Sequence, residues 1–363
     1  MSDTSAATDR EDAAVTERST PAPAPVIGLF ALYLLTVLGG VALAGPFEAA
    51  GVQTFEDPGN VANVGLIFAE VLVITALFVL ITRYDYGMRV LRLLVLAVFG
   101  YATYLAVSGS GLPAAELLAP VLGVVVLLAL LVHPEWYVID AVAVVAGAAI
   151  IAQFGNGLGP LPALVFLVGM AGYDAYAVYV SEHMQQLGSG VGELKLPMMY
   201  VVPPSISFSM DEMGDPFEAD ADGRDDGDAG EGDSRDTVED EPKDAGEDEP
   251  VGSGRDDPGA SGENDPEDTP ILLGLGDAVV PGLLAVSAGQ FLPADPLIAG
   301  TIVNAPALGA ILGSVVGLGG LLVLLYLIER AHAGLPVLNA CVILGYLAGA
   351  AAAGVPIATA LGL

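Results

Sequence analysis

The chain has 363 residues, 54% of them hydrophobic, with mean hydropathy +0.65 and a formal net charge of −33. Charge and hydropathy belong to different stretches: residues 211–268 hold 25 of the 44 acidic residues, and the rest is far more apolar than a soluble domain. A soluble globular protein is excluded, and nucleic acid is not an expected partner of so acidic a chain.

In chain order, the first 25 residues are polar and rich in Ser, Thr, Ala and Pro. They read as a disordered tail, not a cleaved signal peptide, because the apolar run that follows is long. Six runs able to cross about 30 Å of hydrocarbon come next, at 26–45, 61–82, 91–109, 114–132, 137–153 and 160–180. Three more follow at 271–291, 299–327 and 335–360. Only His133, Pro134, Glu135 and Trp136 separate the fourth and fifth, and Trp136 and Tyr137 suit an interface belt. The organisation expected is a tail (1–25), helices 1–6 (26–182), a juxtamembrane segment (183–210), an acidic disordered loop (211–270) and helices 7–9 (271–363).

The eleven basic residues give this array a direction. Arg10 and Arg18 precede the first run. Arg83, Arg89 and Arg92 flank the second link, five more lie between the sixth and seventh runs, and Arg330 lies between the eighth and ninth. None lies in the links after the first, third, fifth or seventh run. This is the positive-inside pattern of an all-α, multi-pass protein of the cell membrane with nine helices, a cytoplasmic N-terminus and an outside C-terminus.

The loop 211–270 is low-complexity, acidic, and rich in Gly and Pro. It cannot bury enough surface to fold, and it matches no EF-hand loop. Dense carboxylates also suit a protein kept hydrated in concentrated salt, so a halophilic host is expected. Just before it, Ile206, Phe208 and Met210 alternate with Ser205, Ser207 and Ser209. With the apolar Met198–Val202, this predicts a short strand or interfacial segment, kept short by Pro203 and Pro204.

Few polar groups lie inside the runs. Glu70, Glu116 and Asp140 read as helix-end or packed polar residues. Cys341 is a lone small core residue, and His133, His183 and His332 fall near helix ends. No metal site and no cofactor are expected. Asp174 and Asp277 differ. The sixth run heads for the cytoplasm and the seventh leaves it, so each aspartate lies about six residues, or about 9 Å, from that end. Carboxylates in lipid are rare and functional. Two at one depth share a proton, so that one activates a water while the other protonates a carbonyl oxygen. Gly274 and Gly276, just before Asp277, let a neighbouring helix or an extended backbone approach closely.

Tyr173-Asp174, Gly274-Leu275-Gly276-Asp277 and nine spans together resemble the presenilin and signal peptide peptidase family of intramembrane aspartyl proteases, the archaeal presenilin homologues in particular. The resemblance implies a presenilin-like fold, an Asp174/Asp277 catalytic dyad, and cleavage of substrates that are themselves membrane helices. The family's Pro-Ala-Leu motif at the ninth helix has a reduced counterpart in Gly334, Leu335 and Pro336. Literal Pro-Ala-Leu strings at 162–164 and 306–308 are read as coincidental, and Tyr84-Asp85 lies in the basic second link. The expected substrates are single-span proteins with their N-terminus outside, held in the lipid bilayer, with no obligate partner subunit evident. Residues 193–210, or the stretch before the seventh helix, would pair with an unwound substrate as an added strand. The competing reading is a transporter or proton-relay channel with paired aspartates, although no internal repeat is visible.

Overall fold

The structure, a computed structural model, describes residues 23–52, 54–82, 84, 87–179, 197–210, 270–327 and 333–363. Residues 1–22 of the expected tail, residues 211–269 of the expected acidic loop, Asp85, His183, Arg330 and His332 lie outside the described residues, while Pro23–Pro25, expected in the tail, open the first helix. Six helices come first: α1 Pro23–Ala49, α2 Ala62–Thr82, α3 Gly87–Ser108, α4 Ala115–Val132, α5 Trp136–Gly157 and α6 Pro160–Tyr179. Strands β1 Met199–Val202 and β2 Ile271–Gly274 follow, then α7 Leu275–Phe291, α8 Ala305–Leu327, α9 Leu335–Ala352 and the single turn α10 Ile357–Ala360. Among the described residues, eight helices are long and apolar enough to cross a membrane, and α7, with 17 residues, is shorter.

Three edges differ from the sequence expectation, each for a local reason. The seventh run does not begin as a helix, because Ile271–Gly274 is taken into a strand. The eighth helix begins at Ala305, where the Asn304 side-chain oxygen accepts the Ala307 N–H at 2.9 Å, a helix N-cap. Pro306 therefore stands in its first turn and does not interrupt it. The ninth run ends its helix at Ala352; Gly354 takes φ +72°, and Pro356 follows. The chain then folds back, and the Tyr346 hydroxyl donates to the Ala360 carbonyl.

Helix α5 is the central post, buried along most of its length. Its small residues let neighbours approach: a Cβ on Gly147 would stand 2.7 Å from Thr36 of α1 and 2.9 Å from Leu275 of α7, and one on Gly155 would meet Val286 at 2.5 Å. The start of α7 is thus seated directly on α5. Helices α8 and α9 approach closest of all. A Cβ on Gly309 would lie 2.1 Å from the Gly345 carbonyl oxygen, and one on Gly313 would lie 2.3 Å from that of Cys341. Small residues at four-residue spacing give such backbone contact in lipid, where dispersion and hydrogen bonds hold helices together in place of the hydrophobic effect.

Buried polar side chains tie helix to helix. Asn156 donates to the Ala44 carbonyl at 2.8 Å, Ser287 to Leu158 at 2.7 Å, and Asn339 to Leu167 at 2.8 Å. Helix α2 is the opposite case, with most of its side chains exposed. It meets α6 through Phe68, whose ring lies 5.9 Å from that of Phe166 and fills the space above Gly169.

The two strands form an antiparallel pair, Met199 opposite Gly274 through Val202 opposite Ile271. They lie far apart in sequence but meet at the start of α7, against α1 and α5.

Candidate active site

The site is built from the end of α6, the start of α7 and the start of α9. Asp174 stands five residues before the end of α6, and Asp277 is the third residue of α7. Helix α7 packs against α6, and the two carboxylates lie within electrostatic reach of each other. Asp277 therefore occupies the first turn of a helix, not a point well inside one. That turn has unsatisfied N–H groups and the positive end of the helix dipole, both favourable to a carboxylate.

The turn is placed by β-structure. The Leu275 N–H donates to the Met198 carbonyl at 2.9 Å, extending the strand pairing by one bond into α7. Gly274 has φ −61° and ψ 136°, an ordinary extended geometry, so no conformational demand requires glycine there. A Cβ on Gly274 would lie 3.4 Å from Asp277 Oδ2, in ordinary van der Waals contact, so this residue borders the carboxylate directly. A Cβ on Gly276 would meet nothing within 4 Å, so that residue faces an open region. Tyr173 is 41% exposed beside Asp174.

Asp174 is held from α9. Its Oδ2 accepts the Leu335 N–H at 3.0 Å, and the Gly334 amide also bears on it. Pro336 follows inside the first turn, where its missing N–H costs nothing. The sequence-level match at Gly334, Leu335 and Pro336 thus falls against the aspartate, through the backbone amide of Leu335. The close neighbour of Gly334 is Leu321 of α8, at 3.1 Å from a Cβ built on the glycine, so its smallness also serves the packing of α8. The literal Pro-Ala-Leu strings lie at the starts of α6 and α8, and the first is ten residues from Asp174 along its own helix. Tyr33 of α1, fully buried, has its phenol facing Ser314 and within electrostatic reach of Asp277.

A model of the family described as signal-peptide peptidase, presenilin aspartyl protease matches residues 30–355. The chain belongs to that family. Its activity is intramembrane aspartyl proteolysis. One solved structure of a presenilin family intramembrane aspartate protease, in space group C222, is 25% identical with a TM-score of 0.58. It is matched over 91% of this chain and 100% of its own. Another, in space group P2, is 27% identical with a TM-score of 0.54, over 91% and 98%. No curated protein matches.

The other acids of the presenilin-like array take separate places. Glu116 is exposed in the first turn of α4, as a helix-end residue. Glu70 is exposed midway along α2, so it is neither a helix-end nor a packed residue. Asp140 is packed: it is 4% exposed, and its Oδ1 accepts the Val201 N–H at 2.8 Å. Residues 205–210 are not a strand, despite their period of two. The Phe208 N–H turns back to the Ser205 carbonyl, and the Glu135 carboxylate accepts the Ser209 hydroxyl at 3.1 Å and the Met210 N–H at 3.2 Å. Sequence reasoning missed that Met199–Val202 and Ile271–Gly274 pair with each other. The signal was there in two short apolar stretches, one ending at Pro-Pro and the other at a glycine.

Proposed function

We propose that Asp174 and Asp277 are the catalytic dyad and that the bonds they hydrolyse lie within transmembrane segments of other proteins. The observation that carries this is their convergence from two helices onto one open, glycine-lined place, with Asp174 held by the Leu335 amide. In this reading one carboxylate is ionised and the other protonated. The ionised one takes a proton from a water as its oxygen bonds to the scissile carbonyl carbon, and the protonated one gives its proton to the carbonyl oxygen. Collapse of the tetrahedral intermediate breaks the C–N bond, and a proton passes to the leaving nitrogen.

A helical peptide bond is shielded, so the substrate must first unwind. The strand pair supports a place for it. Residues 198 and 275 form a hydrogen-bonded pair, and such pairs alternate along an antiparallel ladder. Tyr200 and Val202 therefore turn their backbone groups to β2, and Leu272 and Gly274 turn their N–H groups away from β1. An unwound substrate adds there as a third strand, three to five residues before Asp277.

Substrates are single-span proteins with the N-terminus outside, since a strand of fixed direction must cross a dyad of fixed orientation. The distribution of basic residues supports a cytoplasmic N-terminus and an outside C-terminus for the enzyme itself. The test is a reconstituted cleavage assay on a single-span peptide in both orientations, with topology reporters after Leu363 and within 211–268. Cleavage of the N-outside substrate and an outside C-terminal reporter are expected; preference for the reverse substrate would overturn the orientation. The channel reading loses its motive, because no specific observation favours it over the family's chemistry.

A further inference from the structure

Strand β1 poses a problem of its own. It lies against α5 and α1, and Tyr200, Val201 and Val202 are all buried. Its ladder with β2 satisfies Tyr200 and Val202, while Val201 points its N–H the other way, toward α5. A helix has no free backbone acceptor in its middle, and an orphaned amide in a buried place is costly. The acceptor is Asp140, in the second turn of α5, 4% exposed and 2.8 Å from the Val201 nitrogen. Two further contacts fix the same strand from α1: the Tyr200 hydroxyl shares a 2.7 Å hydrogen bond with Thr36, and a Cβ on Gly28 would stand 3.0 Å from Val202.

We propose that Asp140 is a positioning residue for proteolysis. By engaging the outward amide of Val201 it closes the outer edge of β1, and the edge of β2 beside Asp277 is the one left for a substrate strand. It also sets where α7 begins, because β1 is the template for β2 and the Met198 carbonyl receives the first amide of α7. A slip or detachment of β1 would displace Leu275 and, two residues later, Asp277. It would also offer an extended substrate a second edge in a different register. A carboxylate that tolerates burial for a single amide donor is thereby given a reason. The proposal rests on the dyad and strand-addition reading above.

The experiment uses the full chain in liposomes with a single-span peptide substrate. It reads product masses, kcat and KM, and hydrogen exchange of the segment 199–202. Asp140→Ala lowers kcat/KM about tenfold or more, spreads cleavage from one dominant bond to its neighbours, and speeds exchange of the strand. Asp140→Asn, which keeps an acceptor oxygen, restores the single dominant product and most of the rate. Val201→Pro removes the same hydrogen bond from the other side and leaves the β1–β2 ladder in place, because that N–H is on the outer edge; it reproduces the product pattern of Asp140→Ala. If Asp140→Ala fails to fold, Val201→Pro decides alone. Cleavage of one bond at the wild-type rate by either variant, or an Asn variant as defective as Ala, overturns the proposal. Absence of product from the wild type, or product from a dyad variant, strikes the protease reading instead.

Discussion

Helices α8 and α9 touch backbone to backbone, while α2 stands nearly free. The first pair leaves no room for a Cβ at Gly309, Gly313, Gly345 or Gly349, each of which would meet a carbonyl oxygen within 2.3 Å. On α2, Leu72 and Val73 are 64% and 68% exposed, and the helix is held to α6 at Phe68. The half of the protein that holds Asp174 through Leu335 is thus assembled from parts that cannot shift. Helix α2, by contrast, leaves most of its side chains uncovered by the rest of the protein. A protease that must admit a transmembrane helix and still hold two carboxylates in fixed geometry needs both kinds of packing.

That contrast can be broken in three places. The largest effect is expected at the α8–α9 contact. Gly345→Val puts side-chain atoms where the Gly309 carbonyl stands, forces the helices apart and destabilises by about 3 kcal/mol or more. A melting curve in detergent, with cleavage alongside, checks this; an unchanged melt would mean that the close approach is not structural. Next, Asn339→Ala removes the bond to the Leu167 carbonyl and loosens α9 from α6, at a cost of about 1 kcal/mol. Activity should fall further than stability, because α9 carries the amide that holds Asp174. Equal loss in both measurements would separate Asn339 from the site. The smallest effect belongs to α2, where Leu72→Ala changes stability by no more than about 0.5 kcal/mol. A large loss in the same melt would show that α2 is packed, against the comparison.

Much of this was legible in the sequence because lipid leaves few choices. A run of apolar residues in a membrane is helical over most of its length, so each of the nine runs holds a helix, with edges that differ by up to eight residues where Asn304 and Gly354 set them. Asp174, Asp277 and their neighbours stood out as polar groups with no solvent to justify them. The strands were harder. Met199–Val202 and Ile271–Gly274 are separated by the acidic stretch, and the second is as apolar as the helix it precedes, so nothing local marks the change from strand to helix. Register across such a gap is fixed by tertiary partners: Asp140 on one edge, Thr36 on the Tyr200 hydroxyl. The same holds for Leu335. Its sequence neighbourhood matches the family pattern in only two positions, yet its amide is what reaches Asp174, and an amide has no side-chain signature.

The central claim is that Asp174 and Asp277 act as one unit. Product formation from a membrane-spanning peptide should be measured for Asp174→Asn, Asp277→Asn and the double variant across a range of pH, with a melt for each. Each single variant should abolish cleavage while folding as the wild type does, since a neutral amide is cheaper to bury than a charge. The double variant should be scarcely worse than either. The wild-type rate should rise and then fall with pH, because at low pH both carboxyls are protonated and no base remains, and at high pH both are ionised and no acid remains. Substantial cleavage by either single Asn variant would contradict the account.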